Sequence, residues 1–252
     1  MINWTNDGFD LGGFHFILEF GKDIATVKAE YPNFILMKSN ELINTYSRIL
    51  CEDAQQFENI LELGIMKGGS TAFFSLLASP KNHLAIDVCK HESALDRFSE
   101  DVRKSGRALV ADYATSQADT QIILKKFSEI SGTPPRFDLV VDDASHNFDL
   151  SLHSFNGLFP HVRDGGIYAL EDWGWAHWAG PWQQPDYGEF KNPALSNIVL
   201  LASLCCTSSP GIISHVEVTP DTTLIYRGPT PLDGDFSLED AYLARGKKLQ
   251  FI

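Results

Sequence analysis

Short apolar segments alternate with amphipathic stretches through the middle of this 252-residue chain, and that alternation restricts its fold more than any other feature. The apolar segments are Ile60–Leu63, His83–Ile86, Ala108–Val110, Phe137–Val141 and Ile167–Leu170. Helical periodicity marks Ser39–Cys51, the stretches from Ser70 and from Ser93, Gln117–Ile130 and Asp149–Phe159. Strands that alternate with helices form βαβ units with right-handed crossovers. The pattern therefore predicts an α/β fold with a doubly wound, mostly parallel sheet.

The pattern changes in the last third of the chain. Residues 173–193 are rich in Trp, Gly and Pro, and a helix is predicted after them, over residues 194–206. Two β-like runs follow, Ile212–Val218 and Thr222–Tyr226, with a Pro220-Asp221 turn between them. We expect these runs to form an antiparallel edge of the sheet.

Charge excludes some classes of partner. The chain has 33 acidic and 20 basic side chains, which gives a formal net charge of −13. Because this charge repels a phosphate backbone or an anionic lipid surface, we expect neither a nucleic-acid nor a membrane partner. The first residues lack the basic-then-apolar order of a signal peptide. We therefore expect a cytoplasmic protein that acts on a small molecule, and self-association is left open.

A glycine-containing loop, Gly64–Ser70, lies between a predicted strand and a predicted helix. This is the context in which glycines let a cofactor approach the backbone. The spacing is G-x-x-x-G-G, whereas nicotinamide and flavin proteins usually show G-x-G-x-x-G. Glu62, two residues before the loop, suits a cationic or amine-bearing cofactor. The predicted cofactor contacts here are Glu62, Gly64, Gly68 and Ser70.

Further acidic residues follow the neighbouring strands. Asp87 ends the next strand, where a carboxylate can accept both hydroxyls of a ribose. Asp112, with Tyr113 beside it, follows the third strand and is expected to meet a base ring. Asp142, which follows a later strand, is assigned to the same cofactor site. Any one of these acids could be an ordinary helix cap, since an acid after a strand often is. Their occurrence after successive strands, in this order, is what indicates a cofactor site.

The run Glu62–Ser70 (ELGIMKGGS), followed by Ile86-Asp87, resembles the first two motifs of class I S-adenosylmethionine-dependent methyltransferases. The resemblance covers roughly residues 55–227. It implies a Rossmann-like methyltransferase fold with S-adenosylmethionine as the methyl donor.

Carboxylates follow two successive strands of the predicted sheet. Asp142, Asp143 and His146 come after one strand, and Glu171 and Asp172 come after the next. Because the carboxyl ends of strands line the ligand crevice of an open α/β sheet, we expect these acids to converge. Crowded carboxylates either raise one another's pKa or bind a cation. Oxygen ligands favour a hard divalent ion, Mg²⁺ first, with Mn²⁺ or Ca²⁺ as substitutes.

The stretch DDASH, followed by LFPHVRDGGIYALEDW, resembles the metal-dependent macrolide sugar O-methyltransferases, whose pattern is shared with the cephalosporin hydroxylase-like group. The resemblance implies Asp143, Glu171 and Asp172 as ligands of Mg²⁺ or Mn²⁺ and His146 as the catalytic base. Ala144 stands where such proteins commonly have Gly. The implied reaction is O-methylation of a small natural product, a sugar or other vicinal diol.

The resemblance also implies how the chain is organised into domains. Residues 39–227 are expected to form the S-adenosylmethionine-binding catalytic domain, in which 173–193 is an aromatic specificity loop. Residues 1–38 and 228–252 carry weak patterns, and we interpret them as an N-terminal arm or lid and a C-terminal tail. The tryptophans of the loop equally suit a closed core or a subunit interface.

The implied chemistry is general base catalysis assisted by a metal. An alcohol attacks a sulfonium methyl poorly, but a divalent cation lowers the pKa of a coordinated oxygen. A histidine, with an ordinary pKa of about 6.5, can then remove the proton, an effect worth typically ~10² to 10⁴-fold.

Three alternatives remain open from the residues alone. Tyr187 and Lys191 match the Tyr-x-x-x-Lys pair of NAD(P)-dependent short-chain reductases, although that pair should lie on a long helix. The same fold and metal site could instead perform a non-methylating, hydroxylase-like reaction. A non-enzymatic binding module would have to explain the gathered carboxylates and histidine.

Overall fold

Two β-sheets organise the fold in the computed structural model, which describes residues 2–20, 27–52, 56–90, 94–188 and 190–252. The strands are β1 (Asn3–Trp4), β2 (Gly8–Leu11), β3 (Phe14–Leu18), β4 (Asn33–Leu36), β5 (Asn59–Leu63), β6 (Asn82–Ile86), β7 (Ala108–Asp112), β8 (Phe137–Asp142), β9 (Val162–Glu171), β10 (Ile213–Val218) and β11 (Thr222–Arg227). The α-helices are α1 (Asn40–Ser47), α2 (Gly69–Leu77), α3 (Leu95–Lys104), α4 (Thr120–Ser131), α5 (Phe148–Leu158) and α6 (Ser196–Ser208).

The larger sheet has seven strands in the order β10-β11-β9-β8-β5-β6-β7. β5, β6 and β7 pair in parallel, as do β8 and β9. β11 pairs antiparallel with β9 and with β10. The predicted doubly wound, mostly parallel sheet with an antiparallel C-terminal edge is therefore confirmed.

The chain divides into two compact units, residues 1–116 and 117–252. The first unit contains β5, β6 and β7 together with a separate four-stranded sheet of order β1-β2-β3-β4. Residues 1–38, interpreted from the sequence as an arm or lid, thus supply the strands of this second sheet. Phe9, Phe16 and Phe34 from three of its strands are fully buried and stack on one another.

Helix starts follow local sequence signals in part. Ser39, where the helical periodicity begins, caps α1, since its hydroxyl accepts a hydrogen bond from the Leu42 N–H at 3.1 Å. α3 begins at Leu95, and Ser93, where a helix was expected to start, lies outside the described residues.

The second unit contains β8, β9, the antiparallel edge and α4 to α6. After β11 the chain has little regular structure, apart from a short 3₁₀ turn at Leu238–Asp240. None of the described helices is both long and apolar enough to span a membrane.

Candidate functional site

Asp87 holds the glycine loop of the first unit in place. Its Oδ2 accepts hydrogen bonds from the backbone N–H groups of Ile65 and Met66, at 2.9 and 3.1 Å, and its Oδ1 accepts one from the Cys89 N–H at 3.1 Å. Burial acts to raise the pKa of Asp87, but these backbone donors outweigh it and the pKa lies below its ordinary value. Asp87 therefore has a structural task in the loop, and its predicted ribose contact stays a prediction.

The loop requires glycine at two positions for different reasons. Gly68 has φ +75°, in the left-handed region, and it caps the start of α2. At Gly69 a Cβ atom would lie 2.0 Å from the Ile35 carbonyl oxygen. Gly64 also has positive φ, and Ser70 is half-buried in the first turn of α2. The predicted contacts of Gly64, Gly68 and Ser70 with a cofactor stay predictions.

Asp112 shapes the turn after β7. Its Oδ1 accepts hydrogen bonds from the Ala114 N–H at 3.0 Å and the Thr115 hydroxyl at 2.8 Å. Beside it, the Tyr113 ring lies 5.1 Å from the ammonium of Lys90. The predicted contact of Asp112 and Tyr113 with a base ring stays a prediction.

Glu62, two residues before the glycine loop, is a buried acid without hydrogen-bond donors in the described part of the chain. Its side chain is 1% exposed, and neither carboxylate oxygen has a hydrogen-bond partner among the described residues, although His83 Nε2 lies 3.5 Å from Oε2. A buried carboxylate without partners is costly, and a cationic ligand group would lower that cost. The donor set of this unit therefore fits a cofactor that carries an ammonium group.

A second set of side chains meets in the second unit. Asp143, His146 and Asp172 each place one potential ligand atom within 4.8 Å of the others. His146 Nε2 lies 3.9 Å from Asp143 Oδ1 and 3.9 Å from Asp172 Oδ2, longer than a hydrogen bond. Atoms that share an octahedral Mg²⁺ at about 2.1 Å lie about 3 to 4 Å apart, and both 3.9 Å distances fall in that range.

The backbone is strained at two members of this trio. His146 has φ +53° and Asp172 has φ +55°, and neither is glycine. Left-handed backbone at side-chain-bearing residues is uncommon and concentrates at functional sites. This strain is consistent with a functional site, in which an unfavourable backbone conformation is kept because it sets the direction of the side chain.

The structure does not bring every predicted site residue into the trio. Glu171 is 2% exposed and is not among the three described side chains whose ligand atoms gather. Its predicted role as a metal ligand stays a prediction. His146, predicted as the base, lies among the ligand atoms themselves, so its imidazole is placed to serve either as the base or as a ligand.

Asp142 is enclosed by hydrogen-bonding side chains. The Tyr168 hydroxyl donates to its Oδ2 at 2.8 Å, and the Gln117 amide donates to its Oδ1 at 3.3 Å. Burial raises the pKa of Asp142 to about 7, and the hydrogen bond from Tyr168 offsets only part of that effect. Its predicted cofactor contact stays a prediction.

An aromatic cavity of about 200 Å³ opens beside His146 and Asp172. Its aromatic walls come from Trp173, Trp175, Trp182, Tyr187 and Phe190. No Lys or Arg is among the described residues that line it. The cavity therefore suits a ring-bearing molecule without negative charge.

Hydrogen bonds order the segment that forms these walls. Trp173 Nε1 donates to the Thr219 carbonyl at 3.0 Å, and His177 Nε2 lies 2.7 Å from the Ser196 hydroxyl oxygen. The Trp175 ring packs on the His146 imidazole with centroids 4.3 Å apart.

Sequence reasoning missed two residues of this unit. Gln117, expected only to begin a helix, binds Asp142 and also accepts the Ser145 N–H at 3.0 Å. Trp175 was placed in the aromatic loop, but its packing on His146 was not foreseen. Both contacts join residues far apart in sequence, so no local pattern could have found them.

The reductase alternative is not favoured. Tyr187 and Lys191 lie in turns between a short 3₁₀ segment and α6, not on an α-helix, and Glu189 between them lies outside the described residues. The Tyr-x-x-x-Lys match therefore lacks the long helix on which short-chain reductases carry this pair.

Comparison with known proteins was made by sequence and by structure. Residues 61–173 match the profile of a family described as a methyltransferase domain. Demethylmacrocin O-methyltransferase of Streptomyces fradiae is 34% identical over 95 residues, which cover 38% of this chain and 22% of that protein. Mycinamicin VI 2''-O-methyltransferase of Micromonospora griseorubida is 41% identical over 85 residues, which cover 34% and 19%. The matched stretch thus spans about a fifth of each of these relatives.

Among solved structures, the MycE methyltransferase from the mycinamycin biosynthetic pathway, in complex with Mg, S-adenosylhomocysteine and mycinamycin VI, is similar. The TM-score is 0.53 at 19% identity, over 81% of this chain and 51% of that one. The likeness shows a shared fold. Residues 61–173 are thus similar in sequence to a methyltransferase domain, and the sheet that contains them shares its fold with that solved methyltransferase.

Proposed function

We propose that this chain is a metal-dependent O-methyltransferase, which moves a methyl group from S-adenosylmethionine to a hydroxyl of a small natural product. The observation that carries the proposal is the trio Asp143, His146 and Asp172 opening onto an aromatic cavity, in a chain with a methyltransferase domain. The name of a further relative, the L-olivosyl-oleandolide 3-O-methyltransferase of Streptomyces antibioticus, supports a sugar hydroxyl as the acceptor.

The first unit supplies the donor site in this proposal. Asp87 keeps the loop backbone in one conformation, and the Glu62 carboxylate attracts the ammonium group of the donor. S-Adenosylmethionine, when bound, supplies an electrophilic sulfonium methyl.

The second unit supplies the acceptor chemistry. Asp143 and Asp172 hold a divalent cation, Mg²⁺ or Mn²⁺, with Glu171 proposed as a further ligand. Such a cation, when bound, lowers the pKa of an acceptor hydroxyl. His146 takes the hydroxyl proton at Nε2, the ring atom that faces both carboxylates. The aromatic walls exclude water and pack against the acceptor's ring face.

Direct assay tests the proposal. The full chain is incubated with S-adenosylmethionine and a panel of glycosylated macrolides, with Mg²⁺ and then with EDTA, and products are read by mass spectrometry. We expect one acceptor to gain a single CH₂ unit only when the metal is present. Methyl transfer that is unaffected by EDTA would contradict the metal's role, and an oxidised product would favour the hydroxylase-like alternative.

A cytoplasmic location and a lack of nucleic-acid binding stay predictions, and self-association stays open.

A further inference from the structure

Three buried polar side chains join α2, β6 and β5 in the first unit. His83 Nδ1 lies 2.8 Å from the Ser75 hydroxyl oxygen, and His83 Nε2 lies 3.5 Å from Glu62 Oε2. Ser75, His83 and Glu62 are 1%, 0% and 1% exposed. The three side chains thus form a chain of contacts from Ser75 through His83 to Glu62, the acid that precedes the glycine loop.

Strand register explains why these side chains meet. β5 and β6 run parallel, with Ile60 opposite His83 and Glu62 opposite Ala85. Paired residues project to the same face of a sheet, so His83 and Glu62 lie diagonally across one face. α2, which follows the loop, brings Ser75 onto the same histidine.

Hydrogen-bonding capacity fixes the roles of the atoms. An ionised carboxylate can only accept, so the approach of Nε2 to Glu62 is favourable only when Nε2 carries a hydrogen. In that tautomer of a neutral imidazole Nδ1 is an acceptor, and the Ser75 hydroxyl is the donor that it needs. Neither Glu62 oxygen nor His83 Nε2 has a hydrogen-bond partner among the described residues, and the 3.5 Å between Nε2 and Oε2 is longer than a usual hydrogen bond. The histidine N–H is therefore a polar group placed to orient the carboxylate by a small approach.

We propose that His83, held by Ser75, is a positioning residue that orients the Glu62 carboxylate toward the ammonium group of S-adenosylmethionine. The inference rests on the proposed function, because it assumes that this donor binds. His83 itself touches no part of the donor and acts through Glu62.

The test compares two ligands by titration calorimetry on the full chain. S-Adenosylhomocysteine carries the amino-acid group, whereas 5′-methylthioadenosine shares its nucleoside but lacks the ammonium. We expect His83→Leu to weaken S-adenosylhomocysteine binding about tenfold, the worth of one hydrogen bond to a charged group, and to change methylthioadenosine binding less than about twofold. His83→Gln, whose amide N–H can reach the carboxylate, should restore most of the affinity.

Two further variants separate positioning from general damage. In the background of Glu62→Gln, His83→Leu should have no additional effect on S-adenosylhomocysteine affinity. Asn82→Ala removes the hydrogen bond from Asn82 to Asn59 between the same two strands, 2.8 Å long, without touching Glu62. This control should weaken neither ligand selectively.

Each result bears on a different claim. Equal losses for both ligands, or additive effects with Glu62→Gln, would overturn the positioning role while leaving donor binding intact. A wild-type chain that binds no S-adenosylhomocysteine would overturn the proposed function and this inference together. Should His83→Leu fail to fold, ¹⁵N NMR of His83 in the wild type decides: hydrogen on Nε2 is expected, and hydrogen on Nδ1 alone would overturn the inference.

Discussion

At the scale of single residues, the carboxylates of this chain differ by what surrounds them. Asp87 accepts several backbone N–H groups and has a lowered pKa, whereas buried Asp142 has a pKa raised to about 7. Asp143 and Asp172 remain partly exposed, with 26% and 29% of their side-chain surface accessible. The first two acids therefore accept hydrogen bonds from the protein itself, whereas the last two keep part of their surface accessible.

Asp142 makes the stability of the metal-free protein depend on pH. Its folded-state pKa of about 7 lies above its ordinary value of 3.8, so between these values the folded state holds a proton that the unfolded chain releases. The free energy of unfolding contributed by this group therefore falls as pH rises from about 4 to about 7 and stays lower above that range.

Asp142→Asn, neutral at every pH, should remove this fall. In EDTA, the variant's free energy of unfolding relative to wild type should increase between pH 4.5 and pH 8, by about 3 kcal/mol. Urea denaturation at both pH values measures it. A difference that does not change with pH would show that the carboxyl is ionised throughout.

His146→Ala should distinguish a base from a ligand. If His146 acts as the base, kcat falls ~10² to 10⁴-fold while Mg²⁺ affinity is kept within about twofold. A large loss of Mg²⁺ affinity, measured by calorimetry, would instead assign the imidazole to the metal. His215→Ala, at an exposed histidine on β10, is the matched control and should change neither quantity.

The order of the strands was enough to predict which acids lie close together, but not the direction of each side chain. The expectation that acids after β8 and β9 converge holds for Asp143 and Asp172. Adjacent residues on a strand face opposite sides, so Glu171 and Asp172 need not point the same way, and the positive φ at Asp172 redirects its side chain further. Such a backbone twist leaves no mark in the residue pattern.

At the scale of elements, α2 depends on a close approach of its first residue to β4. The Ile35 carbonyl oxygen occupies the space where a side chain at position 69 would begin. Backbone atoms cannot rotate away as a flexible side chain can, so the two elements would have to separate.

Gly69→Ala should therefore destabilise the protein by about 3 kcal/mol or more. Gly13→Ala is the control, because Gly13 has φ +87° but no atom within 4 Å of the added Cβ. That change should cost only the left-handed strain, about 1 to 2 kcal/mol. Thermal unfolding of both variants gives the comparison, and equal losses would contradict a packing cause.

Element prediction failed for the N-terminal sheet. Its strands are two to five residues long, too short for alternation to stand out, and β3 pairs in parallel with β4 across a gap in sequence. One signal was present: Gly12-Gly13 separates β2 from β3, and both glycines have positive φ. A two-residue Gly-Gly link between alternating apolar runs is typical of a β-hairpin.

At the scale of the whole molecule, the excess of negative charge makes cations stabilising in general, and a specific site must be separated from that background. The formal net charge is −13. Screening by salt is shared by all surface acids, whereas a built metal site saturates at low concentration.

We expect Mg²⁺ to raise the Tm of the wild type with saturation, in a background of 150 mM NaCl. At about 100 times Kd the stabilisation should reach about 2.7 kcal/mol. Asp143→Asn and Asp172→Asn should abolish the saturable part, and Asp240→Asn, at an exposed acid paired with Lys248, should retain it. An unsaturable rise in every variant would indicate screening alone.

The described lining of the cavity beside His146 comes, apart from His146 and Ile252, from one continuous stretch, residues 172–195. Under the proposed function, exchange of this one stretch with Asp172 kept would replace nearly all of the described acceptor wall at once and leave the strands and the loop of the first unit unchanged. New acceptors would then be reached by cassette exchange rather than by many scattered substitutions, and the boundaries of the stretch are practical junctions for building chimaeras.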